Sequence, residues 1–542
     1  MTVDAPVGLV PVPERWYGAV AGAVSAGLAV GLTELIAGIF GEAKSPVVVL
    51  GDYLIGMFPS AVERFAIRTF GTNDKAVLIA GIVVLSIAFG ALLGVAARRS
   101  LTWAVVGFAA FAALPVLVVI GDSTASVTET AISVAVGAAI GILALRFLLD
   151  VAPVAQAGIG PDERAADRRD ALVGGPSDDR AGEVVDGWDR RRFVRLTVFV
   201  AGVGAVAAVT GRWLAEATDT AIGRASNLLP ARLRAAKPPP SATDFEVSGL
   251  TPYVTPEDTF YRIDTALIAP RVNVADWRLR VTGMVDRPLE LSFEELLDLG
   301  LTKHWTTLTC VSNEVGGDLV GNALWGGVPL RTVLDTAGVR TGATQVVGRS
   351  VDGWTAGFPT EAAFDGRAAM VAVSMNGQPL PVNHGFPARL VVPGLYGYVS
   401  ATKWLTEIEL ATFDDFDAYW IPRGWDKLGP IKTQSRIDVP SFGSTVSTGR
   451  VQVAGVAWAQ ERGISKVEVR VDDGPWNEAR LAEVVNDDTW RQWLWTWDAK
   501  PGDRTLQVRA FDGEGTPQTA ELAPPAPSGA TGYHTVDLTV KS

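Results

Sequence analysis

Long apolar runs occupy the first two-fifths of the chain, and short alternating ones occupy the rest. Trp16 to Phe40, Ala76 to Ala97, Leu101 to Ile120, Val127 to Leu149 and Phe193 to Ala215 are rich in Ala, Gly, Val and Leu. Each reaches the roughly 20 residues that a bilayer-spanning helix needs. Buried helices of soluble proteins rarely run so long. Pro46 to Pro59 is apolar but too short to span, and reads as re-entrant or interfacial.

The polar residues between these runs predict an orientation. Arg98 and Arg99 follow the second run, and Arg164, Arg168, Arg169, Arg180 and Arg190 to Arg192 lie between the fourth and fifth. Lys and Arg favour the cytoplasmic side, so the N-terminus is expected inside and everything after residue 215 outside. Lys44, Arg64, Arg68 and Lys75 pull against this assignment. Residues 152 to 190 are charged and rich in Ala, Gly and Asp, which predicts a disordered loop. The loop closes on Arg190-Arg191-Arg192-Phe193-Val194-Arg195-Leu196, which resembles an internal twin-arginine export signal. An ordinary positive flank explains the same residues.

Ala235 to Thr243, with three consecutive prolines, reads as a stiff linker. Beyond it the period shortens. Trp277 to Val281 alternates like a strand, and Ser292-Phe293-Glu294-Glu295 is a capping box opening a short helix. Pro329 to Ala337 reads as another helix with Gly338 as its stop. Strands and short helices mix to about residue 425, which predicts an α+β domain. From Val451 the texture is all strand: Val451 to Trp458, Val467 to Val471, Trp490 to Trp497, Thr505 to Ala510 and Thr535 to Val540. Asp472-Asp473-Gly474 and Asp512-Gly513 mark turns between them, and the regular spacing predicts an immunoglobulin-like sandwich.

Composition narrows the chemistry. A mean hydropathy of +0.23 with 20% charged residues suits a membrane protein, and a net charge of -12 argues against nucleic-acid binding. One cysteine in 542 residues excludes an internal disulfide, a Cys-rich zinc site, a four-Cys iron–sulfur cluster and covalent haem attachment. The three histidines, His304, His384 and His534, all lie in the second half, so the apolar runs cannot supply bis-His haem ligation. That cysteine, Cys310, ends the alternating stretch Thr306 to Thr309 and begins the polar, Gly-ended turn Val311 to Gly317. A thiolate at a strand end is a strong soft-metal ligand; a free cysteine is also a common small core residue. Glu34 is the other candidate. It is a carboxylate within a spanning run, and is expected to reach the headgroups from near the helix end.

The order Cys310, Asp352-Gly353-Trp354, His384-Gly385-Phe386-Pro387-Ala388-Arg389, Pro393-Gly394-Leu395-Tyr396-Gly397 and Lys403-Trp404-Leu405 resembles the sulfite oxidase family of molybdenum enzymes. The resemblance covers roughly residues 240 to 542. It implies that Cys310 ligates molybdenum carrying one pterin dithiolene. Phe260, Tyr261, Arg262 and Asp264 match the segment that passes over the pterin, and Asp352 falls near a pterin contact. His384 and Arg389 match residues that hold the cofactor, and Ser400, Thr402 and Lys403 match the loop around its phosphate. Arg262 near the metal would attract an anion. Sulfite-oxidising members carry a basic cluster after the cysteine, where this chain has Glu314 and Val315, and Trp354 stands where a tyrosine is expected.

The resulting expectation is a multi-domain chain: an α-helical transmembrane bundle, an α+β sulfite-oxidase-type molybdopterin domain and an immunoglobulin-like sandwich of the kind that dimerises in that family. The expected units are helices 1–4 over 1–151, a cytoplasmic loop over 152–192, the fifth helix over 193–215 and a linker over 216–244. The molybdopterin domain then spans 245–425 and the sandwich 426–542. The expected enzyme faces outward and transfers an oxygen atom to or from a small S- or N-containing substrate. An S- or N-oxide reductase, such as the related bacterial branch that reduces methionine sulfoxide in proteins, is favoured over an efficient sulfite oxidase. Electrons would pass through a separate carrier, a quinone or cytochrome, with no haem or iron–sulfur cluster in the chain. The alternatives are a sulfite dehydrogenase and, from other classes, a receptor or transporter with an external binding module or an adhesion-type protein.

Overall fold

Small residues decide how the first helices pack. The computed structural model describes residues 14–40, 45–58, 62, 69–70, 74–120, 126–152, 181–223, 229–234 and 239–542. It falls into two units, Met1–Thr218 and Asp219–Ser542. The first contains α1 (Glu14–Phe40), α2 (Pro46–Met57), α3 (Asp74–Ala97), α4 (Leu101–Val119), α5 (Val127–Val151) and most of α6 (Ala181–Gly223). Five of these helices are long and apolar enough to cross a membrane; the sixth, α2, is the short one.

On α1, Gly18 and Gly22 lie against Gly94 and Gly90 of α3, while Gly31 and Gly38 lie against Gly204 and Gly211 of α6. Small residues let apolar helices approach closely where no hydrophobic force drives them together. The large side chains point the other way, with Leu85 71% and Leu92 68% exposed on α3. The bundle thus carries glycine at these helix contacts and leucine on its surface.

Two expectations change here. Residues 153–180 of the expected loop lie outside the described residues, but Ala181 to Arg192 is the start of α6 rather than irregular chain. Glu34 does not reach outward. Its carboxylate accepts a 2.5 Å hydrogen bond from the Ser45 hydroxyl, at the residue that caps α2.

In the second unit, β1 (Arg278–Gly283), β2 (Leu289–Ser292), α7 (Phe293–Asp298), β3 (Thr302–Thr309), β4 (Val320–Pro329), α8 (Leu330–Ala337), β5 (Gln345–Ser350), β6 (Thr355–Pro359), β7 (Met370–Met375), β8 (Gln378–Pro379), β9 (Arg389–Val391) and β10 (Leu405–Ala411) build the α+β part. One sheet runs β2-β1-β10-β5-β6, with β1 and β10 parallel; the other runs β3-β4-β7-β8, with β9 on β7. The capping box forms at α7, where Ser292 and Glu295 exchange hydrogen bonds, and Gly338 ends α8 at φ 73°. Leu279, Val281, Leu330, Val333, Leu334 and Ile408 fill the core between these elements.

The remaining strands are β11 (Gln434–Val439), β12 (Thr445–Ser447), β13 (Gly449–Trp458), β14 (Ile464–Val471), β15 (Asn477–Glu478), β16 (Arg480–Leu481), β17 (Arg491–Ala499), β18 (Gly502–Asp512) and β19 (His534–Lys541). They form a sandwich of sheets β11-β13-β17-β16 and β12-β19-β18-β14-β15 around Trp493 and Trp497.

The expected linker is not free where it is described. Glu483 N–H donates to Ala242 O at 2.9 Å, Phe245 N–H donates to Gln492 Oε1 at 2.7 Å, and Leu229 and Leu233 join the α+β core. Residues 235–238 lie outside the described residues.

Gly22→Leu should loosen α1 from α3. A Cβ there would lie 2.1 Å from Gly90 O, and overpacking of this kind costs about 1–3 kcal/mol. Thermal unfolding of the full chain in detergent, followed by helical circular dichroism, should shift to lower temperature; an unchanged curve would contradict the close approach.

Candidate active site

Cys310 follows β3 directly and stands buried at one side of a cavity of about 750 Å³. Its amide donates to Leu319 O at 3.0 Å, and the Asn313 carboxamide oxygen accepts from Leu319 N–H at 2.8 Å, so the loop returns to β4 as a tight turn. Two sandwich residues brace that turn. Arg436 Nη1 donates to Gly317 O at 2.8 Å, and the His534 ring sits where a Cβ on Gly316 would be, at 2.2 Å. Gly316 also has φ +80°, so a side chain is disfavoured twice. Burial pushes the Cys310 thiol up, against hydrogen bonds from Ser312 and the charge of Lys403. The thiol therefore stays protonated until a metal displaces the proton.

Phe260, Tyr261 and Asp264 form another wall. Phe260 stacks on Tyr261 and meets Trp325 and His384 edge-on, at ring separations of 5.3, 5.8 and 5.6 Å. Tyr261 is held strongly protonated, by burial first and by the nearby Cys310 second. Asp352, Trp354, His384, Arg389 and Lys403 complete the lining expected from the sequence. Asp352 accepts from Trp354 N–H at 3.1 Å, a local turn that sets the indole at the cavity wall.

Three expected residues do not line the cavity. Arg262 turns to Asp264, pairing Nε with Oδ2 at 2.8 Å, and its side chain is 35% exposed. Ser400 donates its hydroxyl to Tyr396 O at 3.0 Å within its own helical turn. Thr402 is buried against Gly348 with its hydroxyl unpartnered. Glu314 is exposed and does not line the cavity either. Ser350, Thr265, Tyr398, Trp404 and Trp420 do line it, and sequence reasoning passed over their side chains. Ser350 ends strand β5, a strand-end position like that of Cys310, and this was the available signal. Tyr398 lies one residue beyond the quoted Gly397 motif.

The charges here are unusual for an interior. Asp264 Oδ2 takes both Arg262 and, at 2.6 Å, the Lys403 ammonium. Burial lowers Lys403 to about 8 even so. Arg389 is buried over the Trp325 ring, and among the described residues no carboxylate pairs with it. Burial lowers its guanidinium to about 10. A buried, uncompensated guanidinium is costly, so the cavity is built to receive an anion. Ser350 adds a buried hydroxyl without a partner at the same wall. Among the described residues no three His, Cys, Asp or Glu side chains converge as a metal-ligand set. A metal held by Cys310 would therefore have to bring other donors with it. An elongated anion with a soft metal at one end, such as a molybdenum–pterin phosphate, fits this arrangement of thiol and cations.

His384 Nε2 donates to Glu257 O at 3.0 Å, and burial, then the charge of Arg389, lowers the ring to about 4. An unfolded histidine titrates near 6.5, so the unfolded chain takes up the proton first as pH falls. This stability term is full above about pH 6.5 and is lost toward pH 4. His534, also lowered to about 4, contributes in the same direction. His384→Gln should reduce, without abolishing, the acid dependence of the melting temperature of the metal-free protein between these limits. Parallel melts would check this, and identical slopes would contradict it.

Comparison with known proteins bears on the same residues. Residues 266–420 match the family described as oxidoreductase molybdopterin binding domain, and residues 434–536 match the bacterial Ig domain. The mitochondrial sulfite oxidase of Rattus norvegicus is 30% identical over 292 residues, covering 46% of this chain and 53% of that protein. An uncharacterized oxidoreductase of Bacillus subtilis (strain 168), YuiH, is 33% identical over 157 residues, covering 29% of this chain and 76% of that protein. The sulfane dehydrogenase SoxCD of Paracoccus pantotrophus, a solved structure, shares 23% identity, with 58% of this chain and 93% of that chain covered at a TM-score of 0.46. The chain spans about half the length of the rat enzyme. The cysteine-ended strand, the cation-lined cavity and these sequence matches converge: the chain is an oxidoreductase of the sulfite oxidase family of molybdopterin enzymes.

Proposed function

We propose that this enzyme is anchored in a membrane and reduces a small S- or N-oxide outside the cytoplasm. The observation that carries the reading is the position of Arg262. The guanidinium expected to draw an anion to the metal is engaged by Asp264 instead, and the cavity that holds Cys310 is lined by several aromatic side chains, among them Tyr261, Trp354, Tyr398 and Trp420. A weakly charged oxide suits such a wall better than sulfite does.

Arg389 and Lys403 would hold the pterin phosphate, with Ser350 beside them, and Cys310 would ligate the metal. The bound group supplies oxygen-atom transfer and stores the electrons. The protein supplies the rest. Tyr261, kept protonated, can donate a hydrogen bond to the oxide oxygen, and the aromatic wall excludes water. Overall, the oxide takes up two electrons and two protons and leaves as the reduced compound and water. The electrons come from a separate carrier, since the chain's histidines give no haem pair in the helical part.

The five apolar helices support the anchor, and Arg190 to Arg192 at the head of the last apolar stretch support export by a twin-arginine route. The sandwich offers a surface for a homodimer. The second reading, a sulfite dehydrogenase, rests on the likeness to the rat sulfite oxidase.

Arg389→Met should lower retained pterin by about tenfold or more, because a buried charge-assisted contact is lost. Pterin and molybdenum content of the purified variant would show it, and full retention would contradict the assignment. Steady-state kinetics test the substrate. With sulfite and an artificial acceptor, kcat/KM should fall below about 10⁴ M⁻¹s⁻¹, while a sulfoxide should be reduced with a reduced dye. Efficient sulfite oxidation without sulfoxide reduction would favour the second reading.

A further inference from the structure

The helical unit encloses a cavity of its own, about 670 Å³, between α1, α2, α3, α4 and α5. Its walls are of two kinds. Phe89, Phe108, Phe111, Leu93, Ile82 and Pro115 make most of it apolar, and Phe89 and Phe111 stack at 5.5 Å with their planes 29° apart. Thr33, Glu34 and Ser86 bring oxygen to it. The Thr33 hydroxyl donates to Ala29 O at 2.8 Å and the Ser86 hydroxyl to Ile82 O at 2.7 Å, which leaves their oxygens able to accept. Glu34 Oε1 takes the Ser45 hydroxyl at 2.5 Å and the Val47 amide also bonds the carboxylate, which with about four lone-pair sites keeps further acceptor capacity.

This combination selects among ligands. Among the described residues no lysine or arginine lines the cavity, and the nearby Arg212 already faces Glu34, so a phospholipid phosphate is poorly matched. A bare acyl chain would make no use of a carboxylate, and ionisable groups among apolar helices are expensive to keep without a use. A flat conjugated ring with a hydroxyl at its edge and an apolar tail satisfies both walls. The ring would lie among the phenylalanines, and an edge hydroxyl would donate to Glu34.

We propose that this cavity binds the head of a lipid-soluble quinol, with a ring hydroxyl donating to Glu34. The proposal stands apart from the reading of the Cys310 site, because it concerns binding and not turnover.

The test uses the full chain purified in detergent. The probe is 2-heptyl-4-hydroxyquinoline N-oxide, a fluorescent quinol analogue, titrated to saturation and then displaced with decylubiquinol under anaerobic conditions. Saturable binding displaced by decylubiquinol, and not by decanol at equal concentration, is the expected result. Glu34→Ala should weaken the probe by about tenfold or more, the usual loss for a hydrogen bond to a charged group. Ala112→Phe should abolish binding by filling the cavity from α4; it decides the matter if the first variant does not fold. The absence of saturable binding to the unaltered chain would overturn the proposal. So would equal displacement by decanol, which would mark a lipid slot, or unchanged affinity in both folded variants.

Discussion

The outer edge of β3 is hydrogen-bonded to the sandwich, and the position of Cys310 depends on it. Its other edge pairs with β4. On the outer edge, Thr307 N–H donates to Asp488 O at 2.9 Å, Trp490 N–H donates to the Thr307 hydroxyl at 2.7 Å, and Gln460 Nε2 donates to Thr307 O at 2.8 Å. An open strand edge is a liability, and here a second domain covers it. The strand ends in the thiol, and Arg436 and His534 from the same domain brace the turn beyond it. The sandwich thus acts on the site without lining it. A metal ligand gains from such support, because a rigid strand fixed on both edges holds its last side chain more closely than a loop could.

The cations of the cavity follow from a different constraint. Arg389 opens β9, a buried strand that pairs with β7 alone, and Lys403 is buried beside Trp404. Neither position is cheap for a charge. Asp264 offsets one of them and leaves the other uncompensated. That residual charge is the physical sign that the interior suits an anion, and it underlies the proposed role of Arg389 in holding the cofactor. The helical unit solves the opposite problem. Glycine on α1 brings helices together, and leucines of α3 such as Leu85 and Leu92 face outward.

Much of this was legible in the sequence, and the exceptions share a cause. Periodicity located the apolar helices, the strands of the sandwich and the strand that ends at Cys310. Local chemistry located the capping box at Ser292 and the stop at Gly338. The motif order placed Asp352, Trp354, His384, Arg389 and Lys403, all of which line one cavity. What failed was side-chain direction in segments without a period. Arg262 and Asp264 are two residues apart and pair with each other, so the arginine leaves the site. Ser400 satisfies its own helical turn, and Glu34 is captured by Ser45, the residue that caps α2. The clamp on β3 was invisible for another reason: its partners lie more than 150 residues away in sequence, and no local pattern announces them.

The central claim is that Cys310 supplies a sulfur to molybdenum beside a single pterin dithiolene. Molybdenum K-edge X-ray absorption of the loaded protein and of Cys310→Ser tests it most directly, since it counts sulfur neighbours without reference to substrate. The account predicts one sulfur fewer in the variant, with the pterin sulfurs retained. An unchanged sulfur shell would contradict it and return Cys310 to the role of a buried core residue.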